Sequence, residues 1–526
     1  MTTKEYSKMA ILEQSMIQKA DKGIFVVDKD YNLNKTSLVI PKGMTIDLRG
    51  GSINNGTLVL NDTLLENMNK GCINARVEGT IRNSVIYTST IGGIKNLGLS
   101  DYSGMTIYCD QDESNVTTPI VISEANVNAD TSTVFDGMNN DFSCASNFFI
   151  LQYSSRNVTI KNFHAIAQHS AGYIEFERMN SSANVTNIIV RDNTITGFSL
   201  GMSINGGAAA EYVVRDCLVT NNSIYNAIGT TSGHGYGIHL ANAKDCTVSG
   251  NYISNCDRHA IYHAFGDGNT ISGNTIFNHR SNYPIGECGV SYSAIDVARR
   301  STNLTITGNS IINCYSIGIL LSSHSPNRED GSPVVFPEKY GLMENIVISN
   351  NTIVSSGNTD ATNGLPSVMI GTELPPPIIP EDINTYYVKN VEIKNNHFIR
   401  SNTEMQKCIR VVQCKSVDVT GNSFQFNALT TGHSRALIEF YSQFASLMPM
   451  TSFVSDNIFT PLNDIYDYSI YCISFLNGVN NSLFDITVMG NTINNQYSGG
   501  HQNYKVYQPI GITSIAGPNL HLQAGT

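Results

Sequence analysis

The sequence contains no tryptophan and no stretch of 18 consecutive apolar residues, and only 14 % of its residues are charged. Without an apolar stretch of that length, no segment is expected to span a membrane. The net charge of −11 argues against nucleic acid or an anionic membrane as a partner, although a polyanion could bind a local basic patch. What is present is 43 glycines and many Asn, Ser, Thr and Ile residues. This composition is typical of short strands joined by polar turns.

The cysteine pattern does not indicate a metal site. The eleven cysteines are odd in number and form no CxxC pair, so we expect buried, reduced thiols rather than a disulfide framework or a metal site.

The segment from Met1 to Gly23 has the pattern of one amphipathic helix and lacks the apolar region of a signal peptide. No signal peptide is therefore visible, and we expect an extracellular, periplasmic or virion-associated protein exported by another route or after losing its signal.

A repeat of the form apolar-x-(Val/Ile)-x-x-Asn-x-(Ile/Phe) recurs ten times. Its asparagines are Asn193, Asn222, Asn251, Asn274, Asn309, Asn351, Asn396, Asn422, Asn457 and Asn491. Three residues before them stand Val190, Val219, Val248, Ile271, Ile306, Ile348, Ile393, Val419, Val454 and Val488. Two residues after them stand Ile195, Ile224, Ile253, Ile276, Ile311, Ile353, Phe398, Phe424, Phe459 and Ile493.

Each repeat is a strand, a corner and a second strand, too short to bury its own apolar side. Stacked copies bury a continuous core, which predicts an all-β, single-stranded parallel β-helix. We expect the asparagine to occupy a left-handed corner and to hydrogen-bond its counterpart in the next coil. The predicted parts are an N-terminal cap with a capping helix over 1–37, the β-helix over 38–498, and a C-terminal cap or tail over 499–526.

The coil pattern, together with the stretch Leu38-Val-Ile-Pro-Lys-Gly-Met-Thr-Ile-Asp-Leu-Arg-Gly-Gly-Ser-Ile-Asn-Asn-Gly-Thr-Leu, resembles the pectate-lyase-like superfamily of right-handed β-helices. The stretch is similar to the first coils of such proteins from gut Bacteroidetes and their phages. The resemblance implies a right-handed helix. It also implies one of three activities found in that superfamily: polysaccharide lyase, glycoside hydrolase or phage tailspike depolymerase. Fold alone does not choose among them.

A second strand can be registered in several coils, because its apolar residue precedes the motif asparagine by 13 or 14 positions. Strand alternation then predicts an outward row on this face. The row consists of Ser203, His239, Tyr262, Asp296 and Leu320. Small residues flank it, namely Gly237, Ala260, Ala294 and Gly318 on one side and Ala241, Ala264 and Ala298 on the other. We therefore expect a groove floor with polar groups along its middle.

Ionisable side chains concentrate around this row. We expect His239 and Tyr262 to be catalytic. The predicted substrate-binding residues are Arg258, His259, Asp296, Arg299, Arg300, His234 and Tyr236. Each has a structural alternative: Asp296 could pair with an adjacent arginine, Arg258 with Asp257, and His239 with Tyr262 as a surface ladder pair. His263 falls in an inward column and is predicted to be a hydrogen-bonded core histidine.

The favoured chemistry is β-elimination on an acidic, uronic-acid-containing polysaccharide. Such a lyase needs a base for the C5 proton, an acid for the leaving O4 and a cation for the carboxylate. His239 and Tyr262 suit the first two roles, and the arginines suit the third. No cofactor and no protein metal site is predicted, because no tight carboxylate cluster lies on the row. Ca²⁺, which related β-helix lyases often use with Lys or Arg, stays open.

Two rival functions are compatible with the same residues. A glycoside hydrolase would combine Asp296 with a loop carboxylate, from Asp257, Asp267 or Glu287, at about 5–9.5 Å. A phage tailspike or glycan-binding protein would use the same groove for recognition and form a homotrimer through an apolar lateral stripe. The expected oligomeric state is thus a monomer or a homotrimer.

Overall fold

The protein is nearly all β in a computed structural model. The structure describes residues 3–123, 130–152, 155–167, 172–176, 184–205, 214–229, 234–278, 293–314, 317–322, 343–355, 366–371, 388–400, 407–412, 414–426, 435–442, 450–462, 470–477, 484–493, 508–513 and 519–522. The chain divides into two compact units. The first comprises 1–206 and 215–223, and the second comprises 207–214 and 224–526.

The beginning of the first unit differs from the single helix expected over Met1–Gly23. It holds two short α-helices, Thr3–Tyr6 and Gln14–Gln18, separated by the strand Ala10–Ile11. That strand pairs in parallel with Tyr31–Asn32, so backbone pairing prevails over the helical pattern at this point. A 3-10 turn, Asp21–Gly23, follows. The short second helix still buries Ile17.

The described rest of the first unit is made of strands and two further 3-10 turns, Thr88–Ile91 and Ile94–Asn96. Its remaining strands are Ile24–Val26, Tyr31–Asn32, Ser37–Val39, Thr45–Asp47, Ile53–Glu66, Ile73–Ile81, Val85–Tyr87, Leu97–Leu99, Thr106–Tyr108, Glu113–Val116, Ile120–Ile122, Thr133–Asp136, Asp141–Cys144, Phe149–Leu151, Arg156–Lys161, His164–Ala167, Gly172–Phe176, Val185–Arg191, Thr194–Thr196, Leu200–Asn205 and Leu218–Thr220. Two more strands, Val214–Arg215 and Ser223–Tyr225, contain the points where the unit assignment changes.

The second unit stacks its strands in three parallel series. The first sheet is formed by Tyr236–Lys244, Ile261–Asp267, Ser293–Thr307, Ile317–Ser322, Val368–Gly371, Ile409–Val412, Arg435–Ser442, Ile470–Asn477 and Gln508–Thr513. The second sheet is formed by Thr247–Ser249, Thr270–Ser272, the end of Ser293–Thr307, Met343–Ser349, Val388–Lys394, Val417–Thr420, Met450–Ser455, Phe484–Met489 and Asn519–Leu522. The third sheet is formed by Tyr252–Ser254, Thr275–Phe277, Ser310–Ile312, Thr352–Ser355, His397–Arg400, Ser423–Phe426, Ile458–Pro461 and Thr492–Ile493.

The predicted apolar columns stack as expected within each unit. In the first unit Val190 pairs with Val219. In the second unit Val248 pairs with Ile271 and Ile271 with Ile306, and the column continues in register to Val488. These side chains are buried. The right-handed parallel β-helix is thus confirmed as the fold, whereas the boundaries at residues 37 and 498 stay a prediction.

The motif asparagines form the predicted ladder, but their backbone conformation was predicted wrongly. Asn193 and Asn222 are linked in the first unit, and Asn251 through Asn491 are linked in the second. The left-handed corner belongs to the preceding residue, such as Gly273 (φ +62) or Asn350 (φ +56). The motif asparagine follows that corner, and its side chain points inward. There the buried amide bonds backbone N–H and carbonyl groups that would otherwise lack partners, as Asn274 does for the Asn251 N–H and the Val248 carbonyl.

Ten described cysteines are buried free thiols, as predicted from the sequence. In the part of the chain that the structure describes, no helix has both the length and the apolar character needed to cross a bilayer.

Candidate functional site

The predicted outward row lies on the first sheet of the second unit. His239 pairs with Tyr262, Tyr262 with Asp296, and Asp296 with Leu320. His239 and Tyr262 are half-buried, while the residues on either side of each of them in sequence are buried in the core. The register is therefore as predicted from the sequence. Of Asp296 only the backbone position is described. The remaining predicted row member, Ser203, is a buried residue of the first unit.

Four rings converge where the row begins. The centroids of His239 and Tyr262 lie 5.0 Å apart. Tyr236 lies 5.6 Å from His239 and 5.2 Å from Tyr262, nearly parallel to the latter at 14°. His259 completes the group at 5.3 Å from both tyrosines. We call Tyr236, His239, His259 and Tyr262 the ring cluster. It presents the two half-buried rings, His239 and Tyr262, above the more buried Tyr236 and His259.

A buried cation lies against this cluster. The Arg258 guanidinium carbon is 5.1 Å from the centre of the Tyr236 ring, and only 8 % of Arg258 is exposed. Its backbone N–H donates to the Gly235 carbonyl at 3.0 Å. Gly235 has φ +80, and a Cβ there would lie 3.1 Å from Arg258 Cγ. Glycine thus allows the turn that precedes Tyr236 to approach the arginine closely.

Two other predicted binding residues, His234 and Arg300, lie at different points beside the row. His234 is half-buried and precedes the tight turn at Gly235. Arg300 is half-buried in the middle of the strand Ser293–Thr307, four residues after Asp296. Burial disfavours ionisation of Asp267, but hydrogen bonds from Asn303 and Thr302 and the charges of Lys244 and Arg300 lower its pKa. Arg300 thus lies within electrostatic reach of Asp267.

Of two further predicted residues, one is described only in part and the other not at all. Arg299 is described only as a backbone position in Ser293–Thr307. Glu287 lies outside the described residues.

The small residues beside the row whose side chains are described do not form an open floor, contrary to expectation. Ala241 and Ala264 are buried, and Tyr262 and Phe265 pack against them. A Cβ on Gly237 would come within 2.6 Å of the Ala260 carbonyl oxygen and 2.8 Å of Ile253 Cγ2. These positions are small because neighbouring backbone and rings occupy the space, so no open groove flanks His239 and Tyr262 there.

His263 is a hydrogen-bonded core histidine, as predicted. Asn269 Oδ1 accepts from the Cys246 backbone N–H at 2.8 Å, so its Nδ2 is the donor facing His263 Nε2 at 3.0 Å. His263 Nε2 therefore accepts, and Nδ1 lies 3.3 Å from Ser301 Oγ. Burial lowers the pKa of His263 to about 4, consistent with a neutral imidazole. A Cβ on Gly266 would overlap this ring.

The row extends beyond the residues found from the sequence. Leu320 pairs with Met369, Met369 with Arg410, and Arg410 with Glu439. Arg410 could have been found, because its neighbour Ile409 stands 13 residues before Asn422, the spacing used for the other strands. Glu439 could not, because the corresponding count from Ile438 to Asn457 is 19.

No three His, Cys, Asp or Glu side chains come together as a metal site within the described ranges. The ring cluster and Arg258 bring together aromatic, imidazole and guanidinium groups.

Comparison with protein families gives one partial match. A family described as periplasmic copper-binding protein (NosD) matches residues 95–329, less than half of the chain. A sequence search of curated proteins gives no match.

Solved structures with similar folds include three carbohydrate-related proteins. The catalytic unit of the GH87 α-1,3-glucanase from Streptomyces thermodiastaticus aligns with a TM-score of 0.44 at 16 % identity, over 74 % of this chain and 63 % of that chain. An alginate lyase from a Paenibacillus species has a TM-score of 0.31 at 12 % identity, over 78 % of this chain and 99 % of that chain.

The enzymatically active domain of tailspike protein 2 from bacteriophage CBA120 has a TM-score of 0.35 at 12 % identity, over 67 % of this chain and 49 % of that chain. The chain thus spans less than two thirds of the glucanase and about half of the tailspike domain. All three TM-scores are below 0.5, so these similarities carry no conclusion about activity.

Proposed function

We propose that the protein is a polysaccharide lyase that cleaves a uronic-acid-containing polysaccharide by β-elimination. The observation that carries the proposal is the His239–Tyr262 pair. Their ring centroids are 5.0 Å apart, and both residues are half-buried on the outward face of one sheet. An imidazole and a phenol held at that separation suit a base and an acid acting on neighbouring atoms of one sugar linkage.

The pair divides the reaction between two groups. His239 takes the C5 proton of the uronate, and electrons from the C5–H bond form the C4–C5 double bond as the C4–O4 bond breaks. Tyr262 donates its phenolic proton to the leaving O4. Packing against Tyr236 and His259 limits the motion of Tyr262, so little rotamer entropy is lost when substrate binds.

Cations provide the third requirement of the reaction. The C5 proton becomes acidic enough only when positive charge stabilises the carboxylate and the developing enolate. Arg258 supplies positive potential from behind Tyr236, where burial lessens screening by water. Arg300 and Arg299 are assigned to direct contact with the carboxylate, and His234 and His259 to its binding.

The hydrolase alternative has weaker support. Asp296 is next to Tyr262 in the row, but the two described candidate partners serve the local structure. Asp257 Oδ2 accepts from the Gly229 backbone N–H at 3.1 Å, and Asp267 Oδ1 accepts from Thr302 and Asn303. Carboxylates fixed in this way are poorly placed to activate a water for an inverting reaction or to attack a sugar.

A tailspike-like role, with catalysis or glycan recognition in a trimer, is the second candidate. One observation favours it. On the third sheet an apolar outward stripe runs in register through Phe277, Ile312, Val354 and Ile399, all half-buried. The mass in solution distinguishes this case, since a trimer supports it and a monomer contradicts it. Ile312→Asp should dissociate such a trimer without unfolding the chain.

The lyase proposal is tested with a panel of acidic polysaccharides that differ in their uronic acid, together with neutral glucans. The protein is incubated with each glycan, and ultraviolet absorbance of the unsaturated product is recorded beside a reducing-end assay. Absorbance rising in step with new reducing ends supports β-elimination. New reducing ends without absorbance indicate hydrolysis and contradict the proposal.

A further inference from the structure

Phe265 occupies a corner of its coil that does not suit an aromatic residue. It follows Tyr262 by three positions on the strand Ile261–Asp267 and has φ +52. This left-handed conformation is routine for Gly, Asn and Asp, but it is strained in a bulky residue. Among the described residues, those with positive φ are Gly, Asn or Asp, with the exceptions of Lys22, Lys35, Met138 and Phe265. Phe265 is the aromatic residue among these exceptions.

The adjacent coil has an asparagine at the same corner. Asn242, with φ +55, lies opposite Phe265 where the strand Tyr236–Lys244 pairs with Ile261–Asp267. Asparagine tolerates this conformation, since its short amide can hydrogen-bond locally. A phenylalanine in this place therefore needs a gain that offsets its backbone strain, and such strain is concentrated at functional sites.

Packing within the protein accounts for only part of that gain. The Phe265 ring packs against Ala241 and Ala264, and Tyr262 packs against the same two residues. Two alanine methyl groups offer little apolar area, and Phe265 itself is only half-buried. The ring thus gains less from folding than a fully buried phenylalanine does, although its backbone is strained.

The Phe265 ring is held close to the ring cluster. Phe265 and Tyr262 pack against the same alanines, and three residues of extended chain span at most about 10 Å. Gly266 fixes the chain on the other side of Phe265, because its backbone passes directly against the His263 ring. A side chain held in this way loses little conformational entropy when it binds a ligand.

Two arginines share this corner with Phe265. In the next coil the pairing shifts between Ala264 and Gly266, so the backbone of Arg299 and Arg300 lies opposite the single residue Phe265. The corner therefore combines an apolar ring with two basic residues. Aromatic side chains pack on the apolar faces of ligands such as sugars, and a uronate adds a carboxylate that arginine binds.

From this geometry we infer that Phe265 is a stacking platform for the uronate next to the linkage cleaved at the ring cluster. The inference rests on the proposed function for the place of cleavage and for the acidic character of the sugar. Phe265 packs on the apolar face of that sugar, and the arginines assigned to its carboxylate lie on the adjacent strand. Phe265 thus positions the substrate and takes no part in proton transfer.

The first test uses fluorescence. Because the chain has no tryptophan, Phe265→Trp introduces a single indole at this corner. The variant is titrated with polygalacturonate, with alginate and with a neutral glucan while indole emission is recorded. A sugar stacked on the indole should change the emission until the site is saturated. The control is Phe453→Trp, at a phenylalanine of the second sheet that is 54 % exposed, and its emission should not change.

The outcomes separate the platform from the lyase activity. A saturating change with a polyuronate in Phe265→Trp alone supports the platform. No change, a change with the neutral glucan alone, or equal changes in both variants overturns it. Cleavage of a polyuronate without any change of emission supports the lyase and overturns the platform. A saturating change with a polyuronate that is not cleaved supports the platform and contradicts the lyase.

Kinetics on a cleaved polyuronate separate sugar binding from packing. Phe265→Asn introduces the residue type of the adjacent corner. We expect the polymer KM to rise about tenfold, the scale of one lost aromatic contact, with kcat unchanged. Phe265→Leu keeps an apolar side chain over the alanines without a flat ring, so it should raise KM as well, whereas Phe265→Tyr should retain the wild-type KM. An unchanged KM in Phe265→Leu means that the ring only packs within the protein, and it overturns the platform.

Discussion

Asn274 donates twice to Asn309: its backbone N–H and its Nδ2 lie 3.0 and 2.9 Å from the same Oδ1 atom. Nδ2 donates in addition to the Val248 carbonyl at 3.0 Å. The same double donation links successive asparagines through the second unit, from Asn251 to Asn491. Each ladder amide thus satisfies two backbone groups of the preceding coil, here the Asn251 N–H and the Val248 carbonyl, and donates to the side-chain amide of the next coil.

Replacing one of these asparagines should destabilise the second unit strongly. Asn274→Ala removes the acceptor for two Asn251 N–H groups and the donor to Val248 in a fully buried place. We expect a loss of about 2–4 kcal/mol, since each unsatisfied buried group costs about 1–3 kcal/mol. Urea unfolding measures this loss. The control is Asn350→Gly, at a left-handed corner where glycine is tolerated. Equal midpoints for the two variants would contradict the ladder's role.

A charge in the apolar column should prevent folding. Val248 is buried and pairs with Ile271, so Val248→Asp would place an unpaired carboxylate between apolar layers. We expect the variant to be insoluble on expression. The adjacent Ser249 faces outward and is half-buried, and Ser249→Asp should remain soluble. A soluble Val248→Asp protein that melts like the wild type would contradict the stacked-column assignment.

The buried His263 should make stability depend on pH. Its folded-state pKa is lowered to about 4, whereas the unfolded imidazole keeps a value near 6.5. The unfolded chain therefore binds more protons between these values, and the stabilisation present above pH 6.5 is lost as the pH falls toward 4. Between pH 7 and pH 5 we expect a loss of about 2 kcal/mol from this group.

The measurement is urea unfolding of the wild type and His263→Gln at both pH values. Glutamine can accept from Asn269 without titrating, so the variant should lose less stability on acidification. An equal loss in both proteins would mean that His263 is not the titrating group.

Much of the fold follows from the sequence because every coil must bury apolar side chains at the same positions of the repeat. The Val/Ile and Ile/Phe columns must all face one interior, so their spacing fixes the register of His239 and Tyr262. The sequence misplaces the left-handed corner because each motif asparagine directly follows a Gly, Asn or Asp, and all of these residue types tolerate positive φ. Only the structure distinguishes the corner residue from the buried amide beside it.

The sequence predicts which residues lie on the row, but it does not predict how their neighbours pack around them. The sequence predicts that Arg258, Tyr236 and His259 lie near His239. How deeply each of them is buried depends on the turn at Gly235, which the sequence does not reveal. The small residues at Gly237 and Ala241 were interpreted as an open groove, whereas they accommodate neighbouring backbone and rings. Segments of variable length interrupt the spacing around Glu439, so counting along the sequence does not place this residue on the row.

The most direct test of the lyase assignment is the rate of double-bond formation on the best polyuronate of the panel, measured by ultraviolet absorbance. We compare the wild type with His239→Ala, Tyr262→Phe and a control, Tyr252→Phe, which removes a phenol on the third sheet. His239→Ala and Tyr262→Phe should each lower kcat at least about a hundredfold, the usual scale for losing a positioned base or acid. Tyr252→Phe should retain the wild-type rate. Near-normal turnover in both site variants would contradict the assignment.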